Sequence, residues 1–323
     1  MSAMSAMSAQ NRVFGVHGTV NQCPYFRAWE SRCVWKDPAA AAPPTKPLPH
    51  PNVNATRGRV LFVGDSMDAQ LFAATACHLW AHKQRGMDLR LSFDAEWSDS
   101  VVALRKRCGK EMKQDCHYER AALRIAPDSA DAARVPFASM QLCQGDRFSC
   151  FDELGFDPFT DVVVTGADAL HGVAHGVRGA FGHDGVPNST VVATAAKRDL
   201  AGLFRRVWPP NLVWREATAQ HFRAKGGHWV HGFMMRSNVE KLEARCAHIP
   251  MQELKAHAHW NPAIAPMLAL RHVRVLRTWA GSARAWYNHV DHGDCTHFCQ
   301  PSPLLDGWAA TLLRMLAASH RGA

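Results

Sequence analysis

The segment RVLFVG, residues 59–64, constrains the fold more than any other stretch of the chain. It is short, apolar, rich in β-branched residues and free of polar alternation. A strand of that kind must be buried on both faces, which is the condition inside a parallel sheet covered by helices. DSMDAQLFAATACHLWAHK follows at once, with Leu71, Ala74, Cys77 and His78 at helical spacing, and predicts a helix starting near Asp65. The pattern recurs. DVVVTG (161–166), NLVWRE (211–216) and HVRVLRTW (272–279) read as further buried strands. STVVATAAKRDLAGLFRRVW (189–208), stopped by Pro209 and Pro210, and PLLDGWAATLLRMLAASH (303–320) read as helices. Strands alternating with helices predict an α/β fold with a mostly parallel central sheet flanked by helices.

The segments ahead of this pattern predict a different organisation. Residues 1–20, with their MSA triplets, are expected to be disordered, and they lack the basic and apolar regions of a signal peptide. Residues 21–58 hold the aromatic segment CPYFRAWESRCVW and the Pro- and Ala-rich DPAAAAPPTKPLPHPNVN. Too short for a core of their own, they are expected to form a cysteine-containing strap and connector lying on one catalytic domain, 59–323. The net charge of +9 is scattered, without blocks or interleaved aromatics, so nucleic acid is not an expected partner. No apolar run approaches a membrane span, and nothing in the pattern speaks to oligomeric state.

Ten cysteines stand at positions 23, 33, 77, 108, 116, 143, 150, 246, 295 and 299. Their even number and wide spacing predict disulfides rather than zinc, which favours tight paired clusters. Disulfides imply an oxidising compartment, and the sequons at Asn54 and Asn188 agree with secretion. No metal site is expected. The pairs His171/His175, His257/His259 and His289/His292 have metal-like spacing but no accompanying carboxylate cluster.

Two short motifs carry chemistry. In FVGDSMDAQ a serine, Ser66, follows a buried strand and opens a helix. Ligands of parallel α/β sheets bind at the carboxyl ends of the strands, and a helix N-terminus offers N–H groups and positive partial charge. An oxyanion formed at Ser66 would be stabilised there, in part by the Ser66 N–H itself. The competing reading is that Asp65 or Ser66 merely caps the helix. The crowded DCTHFC, 294–299, admits a metal knuckle, a disulfide anchor or half of an active site. In a turn, Asp294 would reach one imidazole nitrogen of His297 and leave the other facing outward. Alone, His297 is one of 19 histidines. Together with strand–GDS–helix, the D-x-x-H motif predicts a Ser66–His297–Asp294 triad.

These blocks resemble the SGNH (GDSL-like) superfamily, and within it the trichome-birefringence-like and PC-esterase group. RVLFVGDSM is similar to the group's first block. DCTHFCQPSPLLDGW is similar to its terminal block, with Asp294, Cys295, Thr296, His297, Phe298, Cys299, Pro301, Asp306 and Trp308 in place. VWREATAQHFRAKGGHW is similar to the central stretch, on which Arg215 and His221 fall. The resemblance implies an SGNH-like three-layer sandwich with a disulfide-tethered N-terminal strap, and an acyl-serine mechanism. Ser66 would be the nucleophile, His297 the base and Asp294 its orienter. It further implies a carbohydrate acceptor, with acetyl-CoA or another acyl donor as co-substrate rather than a bound cofactor, in the Golgi lumen or outside the cell. The expected activity is a carbohydrate O-acyltransferase, with an O-acetyl esterase or a catalytically dead glycan-binding protein as alternatives.

Asp65, Gly145, Gly166, Arg215 and His221 are the implied oxyanion and substrate residues. One departure stands out: the asparagine that usually follows the strand matching DVVV is missing, so Thr165, Gly166 or a backbone N–H would have to replace it. The resemblance also implies the disulfides Cys23–Cys77, Cys33–Cys299 and Cys246–Cys295, with 23 and 33 interchangeable. Proximity alone suggests Cys108–Cys116 and Cys143–Cys150.

Overall fold

The computed structural model describes residues 58–93, 120–144, 147–166, 189–223, 227, 246–257, 260–291, 294–299 and 302–319. The expected disordered N-terminus and almost all of the expected strap lie outside them. Strand β1 (Arg59–Gly64) runs straight into helix α1 (Ser66–Gln84). Then come β2 (Leu91–Phe93), β3 (Arg120–Ile125), β4 (Ser139–Gln144), α2 (Arg147–Glu153) and β5 (Val162–Gly166). The rest are α3 (Ser189–Leu203), β6 (Leu212–Arg215), α4 (Met251–His257), α5 (Trp260–Leu270), β7 (Arg274–Leu276), α6 (Trp279–Ser282), β8 (His289–Asp291), β9 (Asp294–Phe298) and α7 (Pro303–Ser319).

Seven strands form one sheet in the order β2-β3-β4-β1-β5-β6-β7. β4, β1, β5, β6 and β7 are mutually parallel, while β3 and β2 add an antiparallel edge. The fold is therefore α/β with a mostly parallel sheet, as the β-rich apolar runs require. Side chains alternate across it. Val60, Phe62, Val162, Val164 and Val213 pack into one core with α1 and α7. Leu61, Val63, Val163, Leu212 and Trp214 pack into another with α2, α3 and α5. This is the period of two expected of a pleated strand, and it explains why no polar alternation is visible in the runs themselves.

Helix α1 departs from an amphipathic reading, because every residue from Met67 to Leu79 is buried. It lies between the sheet and α7, and the polar residues on it must find partners inside the protein. His78 does so by pairing with Asp306 of α7. Two expected elements are shorter than the sequence suggests. α3 ends at Leu203 and not at Trp208, because residues 204–206 form a turn ahead of Pro209. The strand read at 272–279 is only Arg274–Leu276, because His272 adopts φ 53° in a turn and Trp279 already opens α6.

Chain order in the sheet reverses about β1, since β4 lies on one side of it and β5 on the other. In register, Gly64 stands beside Gln144, and Gly166 beside Arg215. The carboxyl ends of β4, β1, β5 and β6 thus fall on one edge of the sheet, the edge at which parallel sheets bind their ligands.

Candidate active site

Asp65 settles how α1 begins. Its extended backbone and its side chain, which accepts a hydrogen bond from the Met67 N–H at 2.9 Å, make it the N-cap. Capping therefore falls to Asp65, and Ser66 is left for another partner. That partner is His297. Its Nε2 lies 2.6 Å from the Ser66 Oγ, across 231 residues of chain. Ser66 is half-buried and His297 is 7% exposed, so the pair keeps some access to solvent. With the serine hydroxyl donating, Nε2 is the unprotonated nitrogen, the state a general base requires.

The segment that carries His297 is a strand. β9 pairs antiparallel with β8, with His289 opposite Phe298 and Asp291 opposite Asp294. The turn expected at D-x-x-H is replaced by extended backbone because residues 289–291 supply a ladder for it. The side chain of Asp294 lies outside the described residues. Both flanking cysteines are bridged. Cys295 pairs with Cys246, and Cys299 is disulfide-bonded, as is Cys77 on α1, to partners outside the described residues. Cys143–Cys150 closes a second local loop between β4 and α2. Among the described residues no cysteine is free.

Arg215 and His221 are fully buried. Arg215 Nε donates to Asp68 Oδ1 at 2.9 Å, its Nη1 donates to the Glu216 carbonyl at 3.1 Å, and its Nη2 lies 3.7 Å from Asp65 Oδ1. This guanidinium ties the end of β6 to the first turn of α1, directly beneath Ser66. The two strand-end glycines make room for it. A Cβ at Gly166 would collide with the Arg215 guanidinium, and one at Gly64 with the Asp68 carboxylate. Gly166 is thus a spacer for the ion pair, and its carbonyl accepts a hydrogen bond from Arg147 Nη2 at 3.1 Å. Thr165 is fully buried and falls on the opposite face from Val164, on the side of α2 and α3. Gly145 follows Gln144 at the end of β4 but lies outside the described residues.

His221 belongs to a chain of hydrogen-bonded groups behind His297. His289 Nδ1–H donates to the His297 carbonyl at 2.9 Å, and His289 Nε2 stands 2.7 Å from His221 Nδ1. His221 Nε2 faces the Ala283 carbonyl at 3.3 Å. Burial pushes the His221 imidazole down to about 4, against the hydrogen bond to Ala283, which favours the charged form. At neutral pH His221 is uncharged. One proton is shared across the contact between His221 Nδ1 and His289 Nε2. The same segment also contacts β9: the His221 N–H donates to the Cys295 carbonyl at 3.2 Å, and Gln220 Nε2 donates to Thr296 Oγ1 at 2.9 Å.

Gln70 and Asp68 were not singled out by the sequence reading, and His289 was noted only for its metal-like spacing from His292. The usable signal was positional: Asp68 and Gln70 are polar residues inside a helix whose neighbours are all apolar or small. Among the described residues, no group of three or more His, Cys, Asp or Glu side chains could hold a metal ion, and no helix is long and apolar enough to cross a membrane. No protein-family model matches the chain, and none of the curated proteins searched matches it.

Proposed function

We propose that the chain is an acyl-serine enzyme that transfers an acyl group, acetyl in the leading case, to a carbohydrate hydroxyl. The observation that carries this reading is the 2.6 Å contact between Ser66 Oγ and His297 Nε2 at the carboxyl end of a parallel sheet. A serine that only capped α1 would have no use for a histidine 231 residues away, and Asp65 already supplies the cap. The resemblance of the GDS and D-x-x-H blocks to the PC-esterase group supplies the substrate class, and the bridged cysteines agree with an oxidising, secretory setting.

In this mechanism Ser66 Oγ attacks the acyl carbonyl while His297 Nε2 takes the hydroxyl proton. The tetrahedral oxyanion forms at the N-terminus of α1, where the first-turn N–H groups and the helix dipole favour negative charge. Collapse breaks the bond to the leaving group, which takes the proton from His297, and leaves acyl-Ser66. An acceptor hydroxyl then gives its proton to His297 as its oxygen attacks the acyl carbon; collapse breaks the Ser66 Oγ–acyl bond, the new ester departs, and His297 returns the proton to Ser66 Oγ. Water in place of the acceptor gives the esterase reaction by the same steps.

The test is incubation with labelled acetyl-CoA and a panel of oligosaccharides, with mass spectrometry of the Ser66 peptide. The expected result is label on Ser66 and on sugar in the wild type, and on neither in Ser66→Ala. If wild type and Ser66→Ala behave alike, both here and with acetylated oligosaccharides as substrates, the acyl-serine reading is wrong.

A further inference from the structure

We propose that Gln70 is the positioning residue that sets His297 against Ser66, an inference that rests on the acyl-serine reading above. Gln70 is fully buried on α1, four residues after Ser66, and so lies one turn along the same face of the helix. Its carboxamide grips the backbone of Phe298, the residue after the base. Oε1 accepts from the Phe298 N–H at 3.1 Å, and Nε2 donates to the Phe298 carbonyl at 2.5 Å.

The geometry of a strand makes this grip specific. The N–H and C=O of one residue in an antiparallel strand point to the same edge, where a neighbouring strand would normally meet them. β9 has β8 on one side. Towards α1, the Gln70 amide, which has the same donor and acceptor as a peptide group, meets the strand in place of a neighbour. The consequence reaches His297 through one peptide plane. The oxygen of the 297–298 peptide accepts from His289 Nδ1, and its N–H donates to Gln70 Oε1. With both ends held, the backbone rotation that would swing the His297 side chain away from Ser66 is blocked. The nucleophile and the base are therefore gauged from a single rigid element, α1, although they lie at opposite ends of the fold's sequence.

Gln70→Met tests this, because it keeps the length of the side chain and removes both hydrogen-bonding groups. The expected result is a folded, disulfide-intact protein whose rate of Ser66 acylation falls about a hundredfold, the scale of a misplacement near 1 Å, while KM for the acceptor stays within about twofold. Gln70→Glu, which can still accept from the Phe298 N–H, is expected to recover part of that rate. A second readout does not need activity. Histidine NMR titrations of wild type, Ser66→Ala, Gln70→Met and the double variant measure how strongly Ser66 influences the His297 imidazole. That influence is expected in the wild-type background and lost in the Gln70→Met background. Acylation retained within about threefold in Gln70→Met, or an undiminished influence of Ser66 on His297, overturns the proposal. Absence of acylation in the wild type instead removes the acyl-serine reading, and the titrations still decide the role of Gln70. Should Gln70→Met not fold, Gln70→Asn, which keeps the amide but withdraws it by one methylene, carries the same comparisons.

Discussion

Replacing Arg215 by methionine removes the cation beneath Ser66 while preserving much of the side chain's apolar volume. Arg215 and Asp68 are both 0% exposed, and Arg215 Nε donates to Asp68 Oδ1 at 2.9 Å. Without the guanidinium, Asp68 is left as a buried carboxylate with its counter-charge gone. Breaking a buried pair from one side costs about 3–5 kcal/mol, against roughly 5–15 kcal/mol for the whole of a typical domain. The folded variant has one means of relief: burial without a cation favours the neutral acid, so Asp68 takes up a proton. The folded state then binds a proton that the unfolded carboxyl releases above about pH 4, and stability falls as pH rises. The deficit relative to wild type is therefore expected to be largest near pH 7.5 and to narrow towards pH 4.5. Urea unfolding followed by circular dichroism at the two pH values measures it. Asp68→Asn in the same background removes the charge and is expected to regain part of the loss. A deficit below about 1 kcal/mol at pH 7.5, with no change at pH 4.5 and no recovery on adding Asp68→Asn, would refute the reasoning.

The remaining predictions concern the supports of β9. His221 is held neutral by burial, with its folded pKa lowered to about 4 from an ordinary 6.5. Its contribution is therefore complete above about pH 6.5 and lost as pH falls through 4; urea melts over that window should show a loss of up to about 3 kcal/mol that is absent from His221→Asn. The two bridges differ in the chain they close, 49 residues for Cys246–Cys295 and 7 for Cys143–Cys150. By loop entropy their double serine replacements should cost about 4 and about 2 kcal/mol respectively in denaturant unfolding, and the reverse order would count against that account. Only removal of the first bridge should also slow Ser66 acylation, because Cys295 stands two residues before the base.

The parts of the fold legible in the sequence were those whose environment is uniform. β1, β5 and β6 are buried on both faces, so their residues are apolar without interruption and their ends fall within a residue of expectation. β3 and β4 were invisible because RAALRI and SMQLCQ contain alanine, methionine and glutamine in place of a β-branched run. Their pairing with each other and with β1, not intrinsic preference, makes them strands. The same contrast holds in the site. Ser66 and His297 announce themselves by their position at element boundaries. Gln70 does not, since an isolated glutamine in a helix is usually solvated, and only the burial of α1 on all sides makes it a structural amide. Arg215 fell within a legible block, but its partner Asp68 and the glycines that admit it belong to three different segments, and only the folded chain brings them together.

The distance in sequence between nucleophile and base has a consequence for how the protein is made. A chain growing at roughly 5–20 residues per second needs on the order of 10–50 seconds to pass from Ser66 to His297, 231 residues later. Throughout that interval β1 and the start of α1 exist without an imidazole beside the hydroxyl. On the acyl-serine reading the nascent chain therefore carries an inert serine, whose reactivity would arrive late and all at once, when β9 docks on Gln70.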